Sequence, residues 1–352
     1  MAESLSHNGE QKFTAPQDEH LTSAEVHEEL TEPDSEALRR DPSYVTVNLR
    51  RHSGYFAKPG DKRRGALHPE GIDDAKSAAA EWVNELPAGT EVEIVQSPSV
   101  TPSVDLRDAG TDQERTVHPM RAAITASLYE QAVYGNQQVA RGENNEIIRD
   151  GRGQPMPARR EYKDELGDFL NATEDPGPFF DALGADEKYQ GRLAKDFWSD
   201  YVKDQLSPEV ARAIEAVGGV DSLQLAQNLV GVVGDKIPAL TEKASESDRK
   251  QVMLAVTHGE SMEAFSHYLA EYLKENGVAQ ESDDFVEAAN SAIAYNGQVD
   301  LHVKDGAMTV VLEHRVGEET QEVSARVDVQ EFASYLDARR AQKNARGTIA
   351  GS

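Results

Sequence analysis

The sequence predicts an α/β protein: a three-layer sandwich around a mostly parallel sheet, with a helical insertion. Three observations carry this. Near the start, β-branched residues alternate with polar ones (Val45, Val47, Leu49), a helical pattern follows, and a second strand-like run (Val92, Ile94, Val95) comes next. That β–α–β order calls for parallel strands joined by a right-handed crossover. Late in the chain a third run, Val252, Leu254 and Val256, leads into another amphipathic pattern. The long stretch between these two parts is dominated by helical periodicity.

The bulk numbers bound the function. A chain of 352 residues holds one large domain or two modest ones. Its formal charge of −27, from 63 acids against 36 bases, argues against a nucleic-acid or anionic-membrane partner, because those surfaces require clustered Lys and Arg. The absence of cysteine excludes disulfides, thiolate catalysis and cysteine metal sites. The first residues lack the basic and apolar regions of a signal peptide, and no apolar run approaches the ~20 residues of a membrane helix. A soluble, cytoplasmic protein is expected. Residues 1–42 carry 11 acids against 3 bases and read as a disordered tail with one short helix around 23–30. A domain is expected over 43–340, and 341–352 reads as a flexible tail.

Within the domain the elements follow in order. Residues 55–65 form a basic loop with Lys58, Lys62, Arg63 and Arg64 around Pro59-Gly60. The spacing of Ile72, Ala75, Ala79, Trp82, Val83 and Leu86 predicts a helix over 69–86. After the second strand, 99–115 is a polar loop, and a helix begins near Val117, with Met120, Ala123, Ile124, Leu128 and Ala132 on one face. The insertion spans about 136–245: a polar excursion, then helices at 161–170, 186–206, 208–217, 222–233 and on to 245. The strand at 251–257 precedes a helix over 261–276, capped by Gly277, and a second helix over 282–294. Strands at 299–303 and 308–314 flank Asp305-Gly306, a hairpin signal. A strand at 322–327 and a helix over 329–340 close the domain.

Chemistry-bearing residues recur at one topological place. Arg51 and His52 follow the first strand, Arg121 opens the helix after the second, and His258 follows the third. Loops at the carboxyl ends of parallel strands converge on one crevice. Guanidinium forks suit phosphate oxygens. A neutral imidazole can attack phosphorus while a second stabilises the charge of the transition state. Other chemistries fit less well. Gly259-Glu260-Ser261-Met262-Glu263 lacks the last glycine of a nucleophile elbow. There is no phosphate-binding Walker loop and no Gly-x-Gly-x-x-Gly. His258, His267, His302 and His314 have no metal-ligand spacing.

Together these motifs resemble the histidine phosphatase superfamily, the phosphoglycerate-mutase-like group. Leu49-Arg50-Arg51-His52-Ser53 is similar to its strand-then-Arg-His-Gly motif. Leu67-His68-Pro69-Glu70-Gly71 with Ala75 resembles the start of its first helix, and Ser97-Pro98 the Ser-Pro after its second strand. Arg121-Ala122-Ala123-Ile124-Thr125-Ala126 resembles its Arg-Ala-x-x-Thr-Ala helix, and Val256-Thr257-His258-Gly259 the end of its second-histidine strand. The matches cover roughly 44–133 and 251–275.

The resemblance implies that His52 is a nucleophile forming a phosphohistidine, that Arg51 and Arg121 bind the phosphoryl group, and that His258 stabilises its transfer. It implies a phosphatase acting on a small phosphorylated molecule or phosphopeptide, without metal or cofactor. A phosphomutase and a non-catalytic phospho-ligand-binding module are the alternatives. The chain departs from the pattern in four places. Ser53 stands where the family has Gly, residues 99–120 split its Ser-Pro-x-x-Arg-Ala, Lys163 stands four before Gly167 where the mutase-like branch has an acid, and Gly259 stands where the acid-phosphatase branch has Asp. The proton donor is therefore open among Glu165, Glu161, Asp164 and Glu260, with Glu165 preferred.

Overall fold

The computed structural model describes residues 35–55, 67–97, 121–134, 195–216, 220–247, 249–276, 282–291, 293–316 and 319–350. The expected helices at 23–30 and 161–170, the loops at 56–65 and 99–115, and Gly277 lie outside these residues.

A six-stranded sheet runs through the described residues in the order β2-β3-β1-β4-β5-β6. Its strands are β1 (Val45–Arg51), β2 (Glu91–Gln96), β3 (Gln251–Thr257), β4 (Gln298–Lys304), β5 (Ala307–Val316) and β6 (Glu319–Asp328). The β2-β3-β1 half is parallel, as the β–α–β pattern requires. The other half, β4 to β6, is an antiparallel meander attached to β1. Asp305 and Gly306 both adopt positive φ (52° and 82°) in the β4–β5 turn, the conformation that a tight hairpin with right-handed strand twist needs.

Helices cover both faces, which gives the three layers. On one side lie α2 (Pro69–Glu85) and α3 (Arg121–Tyr134), whose Trp82 and Tyr129 meet edge to face and pack with Val252, Leu254 and Val256 of β3. On the other lie α6 (Ser222–Ser247), α7 (Gly259–Glu275), α8 (Ser282–Ala289) and α9 (Val329–Ala350), packed on Val45, Val47 and Leu49 of β1. Each such fully buried aliphatic side chain contributes roughly 1.5–3 kcal/mol. The described part of the insertion is helical: α4 (Lys195–Val202), α5 (Pro208–Ala216) and α6. The two helical runs expected at 222–245 form one helix that continues through Pro238.

Boundaries differ at both ends of the domain. Residues Ser35–Arg40 form a helix, α1, rather than tail. Leu38 is buried, Arg39 pairs with Asp300 and Glu322, and Lys250 Nζ donates to the Leu38 and Asp41 carbonyls at 2.9 and 3.0 Å. Burial of Lys250 pushes its pKa down to about 8. At the other end α9 runs to Ala350, past the expected limit at 340.

The alternate face of β1 explains why α1 docks. Thr46, Asn48 and Arg50 are buried, not solvated. Each meets its register partner on β4: Thr46 with His302, Asn48 with Asp300, Arg50 with Gln298. Thr46 Oγ1 lies 2.9 Å from His302 Nδ1, Asn48 donates to Asp300, and Arg50 donates to Gln298. The result is a polar seam inside the protein that α1 helps to cover. Satisfied pairs of this kind avoid the penalty of an unpaired buried polar group.

His302 makes the seam acid-sensitive. Burial is the main cause of its depressed pKa of about 4, with Lys250 and Arg39 acting in the same direction and Asp300 and Glu322 opposing. Above pH 6.5 the ring is neutral in both the folded and unfolded chain. As pH falls from 6.5 towards 4 only the unfolded chain gains the proton, so folding loses about 3 kcal/mol from this group. Denaturant titrations at pH 7 and pH 4 should therefore show a loss smaller by about that amount in His302→Gln than in the wild type. An equal loss in both proteins would contradict the assignment.

Candidate functional site

The parallel register brings three strand ends to one edge. Arg51 is paired with Thr257, and Gln96 with Val256. His52, Ser97 and His258 therefore follow at the same level. The His52 amide donates to the Thr257 carbonyl (3.0 Å) and the Ser97 amide to the Val256 carbonyl (2.9 Å). Ser97 and Thr257 hydroxyls sit 2.7 Å apart and close the edge between them.

His52 and His258 are buried at 2% and 1% exposure, with ring centroids 5.2 Å apart at 66°. His52 is held in one neutral tautomer. Its Nδ1 lies 2.8 Å from the Ser53 carbonyl oxygen, which can only accept, so Nδ1 carries the hydrogen. Arg121, the first residue of α3, donates from Nε to His52 Nε2 at 2.9 Å, so Nε2 holds the lone pair. Burial, then Arg121, His258 and Arg51, push the His52 pKa well below the usual imidazole value. The ring therefore stays uncharged and nucleophilic at neutral pH.

Four of the sequence-derived site residues thus converge: Arg51, His52, Arg121 and His258. Arg51 approaches from the far side. Its backbone amide donates to Gly297 (3.0 Å), Nη1 donates to the Ile293 carbonyl, and Glu263 Oε1 lies 3.7 Å away. The guanidinium rests against Gly259, where a Cβ would stand 2.7 Å from Cζ. An Asp at that position would displace the arginine, which is a physical reason for glycine there. Arg50, by contrast, turns to the opposite face, over the Tyr129 ring at 5.2 Å. Glu161, Asp164 and Glu165 lie outside the described residues. Glu260 sits in the first turn of α7; burial is the main cause that raises the pKa of Glu263 and of Tyr295, and the charge of Glu260 adds to it.

Ser53 proves to be a built position. It lies outside the left-handed region, so its backbone needs no glycine. The side chain is fully buried, donating to the Gly71 carbonyl (2.7 Å) and accepting from Asn296 Nδ2 (3.0 Å). Its amide donates to Thr125 Oγ1 at 3.1 Å, and Thr125 donates to the Arg121 carbonyl at 2.9 Å. The glycine that is sterically required comes next: a Cβ on Gly54 would lie 2.6 Å from His68 Nε2. His68 in turn caps α2 through Nδ1, which accepts from Gly71 N at 2.8 Å.

Several contributors are not legible as site residues in the sequence. Tyr55 and Tyr295 flank His52 with centroids 5.2 and 5.9 Å away. Arg121 lies over Tyr55 at 4.5 Å and Arg51 over Tyr295 at 4.7 Å. The sequence pattern extends a helix over 282–294, up to Tyr295. The helix stops at Ala289 instead, and 293–297 wraps across the site. Asn296-Gly297 is the turn signal that points to this. Asn296 adopts φ 59°, and Asn tolerates that conformation better than most residues. Glu263 fixes the same segment by accepting from the Ile293 amide at 3.0 Å.

No protein-family model and no curated protein sequence matches the chain. Among solved structures, it is similar to a mycobacterial glucosyl-3-phosphoglycerate phosphatase, with 14% identity over 81% of this chain and 98% of that one, at a TM-score of 0.37. It is also similar to mycobacterial hydrolase 2, with 17% identity over 83% and 97% of the two chains and a TM-score of 0.38. A phosphoglycerate mutase from Plasmodium falciparum gives 14% identity, 80% and 99% coverage, and a TM-score of 0.30. Likenesses at this level leave function to be argued from the chain's own residues.

Ser53→Ala removes a hydroxyl that serves two buried partners. Chemical denaturation should show a loss of about 1–3 kcal/mol, from the lost bond to Gly71 and from the part-buried Asn296 amide left without its acceptor. A change within experimental error would mean that the bridge to Gly71 and Asn296 carries no net stability.

Proposed function

We propose that this chain is a histidine phosphatase of the phosphoglycerate-mutase-like superfamily, hydrolysing a phosphomonoester through a phosphohistidine on His52. The observation that carries the reading is the state of His52: a buried neutral imidazole with Nδ1 committed to the Ser53 carbonyl and Nε2 met by a guanidinium. An imidazole kept uncharged among cations is arranged to bind an anion and attack it.

The steps follow from this arrangement. A phosphate dianion would draw Arg121 from Nε2 onto its own oxygens and take Arg51 on the other side, freeing the lone pair. Nε2 attacks phosphorus, the ester oxygen leaves with a proton, and the phosphoryl group rests on His52. The two arginines and His258 face the equatorial oxygens and offset the charge that builds on them. Water then attacks phosphorus and gives its proton to the carboxylate that protonated the leaving oxygen; the phosphorus–Nε2 bond breaks, phosphate leaves and the neutral ring is restored. The reaction needs a proton donor for the leaving oxygen. Glu165 is preferred among the four candidates of the sequence, Glu165, Glu161, Asp164 and Glu260, and Glu260 is the one that lies at the rim of the described site.

Two experiments test the reading. His52→Ala should abolish turnover of p-nitrophenyl phosphate, and Arg121→Ala should lower kcat/KM by about 10²–10³, the usual loss for one transition-state donor. Arg121→Lys should restore little of it, since the ammonium lacks the fork. Phosphate binding with no turnover of any phosphomonoester would favour the non-catalytic binding module. For the donor, Glu165→Gln and Glu260→Gln are compared on alkyl and nitrophenyl esters. The true donor's loss should slow the alkyl ester far more, because nitrophenolate leaves without a proton. Equal effects on both esters would remove that residue from the role.

A further inference from the structure

Two large apolar residues stand about half-exposed among the described residues, Tyr134 and Tyr295. Tyr134 is tied into the fold, its hydroxyl donating to the Val92 carbonyl on β2. Tyr295, 48% exposed, has no such bond among the described residues and lies over the nucleophile. We propose that Tyr295, with Tyr55 as its perpendicular partner, forms a leaving-group subsite that selects phosphate groups attached to an aromatic ring over those on a flexible alkyl chain. The proposal rests on the reading of His52 as the phosphate-facing group and names the substrate class that site would take.

The geometry supports this in three steps. An in-line attack from Nε2 sends the leaving oxygen away from the His52 ring. That ring is the buried floor, so the leaving group points to the open side, where the rings of Tyr55 and Tyr295 stand 6.3 Å apart at 87°. The two rings pack edge to face on each other, so a flat group meets the exposed part of Tyr295 rather than a slot between them. Each tyrosine also backs one guanidinium, Arg121 at 4.5 Å and Arg51 at 4.7 Å. One face of Tyr295 is thus taken by Arg51, and the exposed remainder is available to a ligand. The segment is held in place rather than loosely draped. Arg51 and Glu263 fix Ile293, Arg50 Nη1 donates to the Asn296 carbonyl at 3.0 Å, and Asn296 reaches Ser53.

The test uses phenylphosphonate and butylphosphonate, which bind without being hydrolysed, on the full chain by calorimetry. Wild-type protein should prefer phenylphosphonate by about fivefold to tenfold, the effect of one aromatic contact. Tyr295→Ala should erase the preference, and Tyr295→Phe should keep it, since the ring and not the hydroxyl makes the contact. If Tyr295→Ala weakens both phosphonates equally, Tyr295 merely positions Arg51 and the subsite is overturned. No wild-type preference, or no binding of either compound, overturns it as well. Failure of the enzymatic reading looks different: the phenyl preference and its dependence on Tyr295 would persist while phenyl phosphate went unhydrolysed.

Discussion

The parallel register of β1 against β3 is the constraint on which the site depends. It sets Arg51 opposite Thr257, and so brings His52 and His258 out of the sheet side by side. Side-chain direction alternates along a strand, so a slip of one residue would turn each strand's side chains to the other face. The register is fixed by burial on both faces. Val45, Val47 and Leu49 pack under α6 and α7, while Thr46, Asn48 and Arg50 find specific partners on β4. A polar seam specifies register more sharply than an apolar one, because a shifted strand would leave buried donors without acceptors.

Placing two imidazoles and two guanidiniums at one edge has an electrostatic cost, and the structure meets it in identifiable ways. His52 stays neutral, so it adds no charge to the cluster. Arg51 has Glu263 nearby and the Ile293 carbonyl as an acceptor. Both guanidiniums lie on tyrosine faces, an attraction worth roughly 0.5–2 kcal/mol depending on desolvation. Glu263 itself is held up from the usual carboxylate range, chiefly by burial, with Arg51 opposing. What remains is an edge where two guanidiniums stand beside a neutral imidazole.

How much of this is legible in the sequence follows the range of the forces involved. Strand and helix identity comes from local periodicity, and most described elements stand within a few residues of their expected limits. Arg51, His52, Arg121 and His258 are legible because each sits next to a strand end or helix start, where topology dictates convergence. Tyr55, Tyr295, Asn296 and Glu263 are not, because their roles arise from contacts between segments far apart in the chain, such as Asn296 with Ser53. The docking of α1 is hidden for the same reason. Arg39 reads as a charge of the acidic tail until Asp300, on a strand far along the chain, is placed beneath it.

Ser53 shows how a departure from a pattern can be part of a matched set. The resemblance places glycine there, and a serine takes more room. In the folded chain the room is needed one residue later, at Gly54, where His68 approaches, and at Gly71, where a Cβ would strike the Gly54 carbonyl. The Ser53 hydroxyl instead joins Gly71 of α2 to Asn296 of the segment that carries Tyr295. Asn296 is matched to it in turn: its left-handed backbone turns the carbonyl to Arg50 while the side chain reaches Ser53. A glycine at 53 would leave Asn296 without that acceptor and the segment with one fewer tie to the strand that carries His52. The substitution is therefore better explained as an anchor for the wall over His52 than as decay of the site.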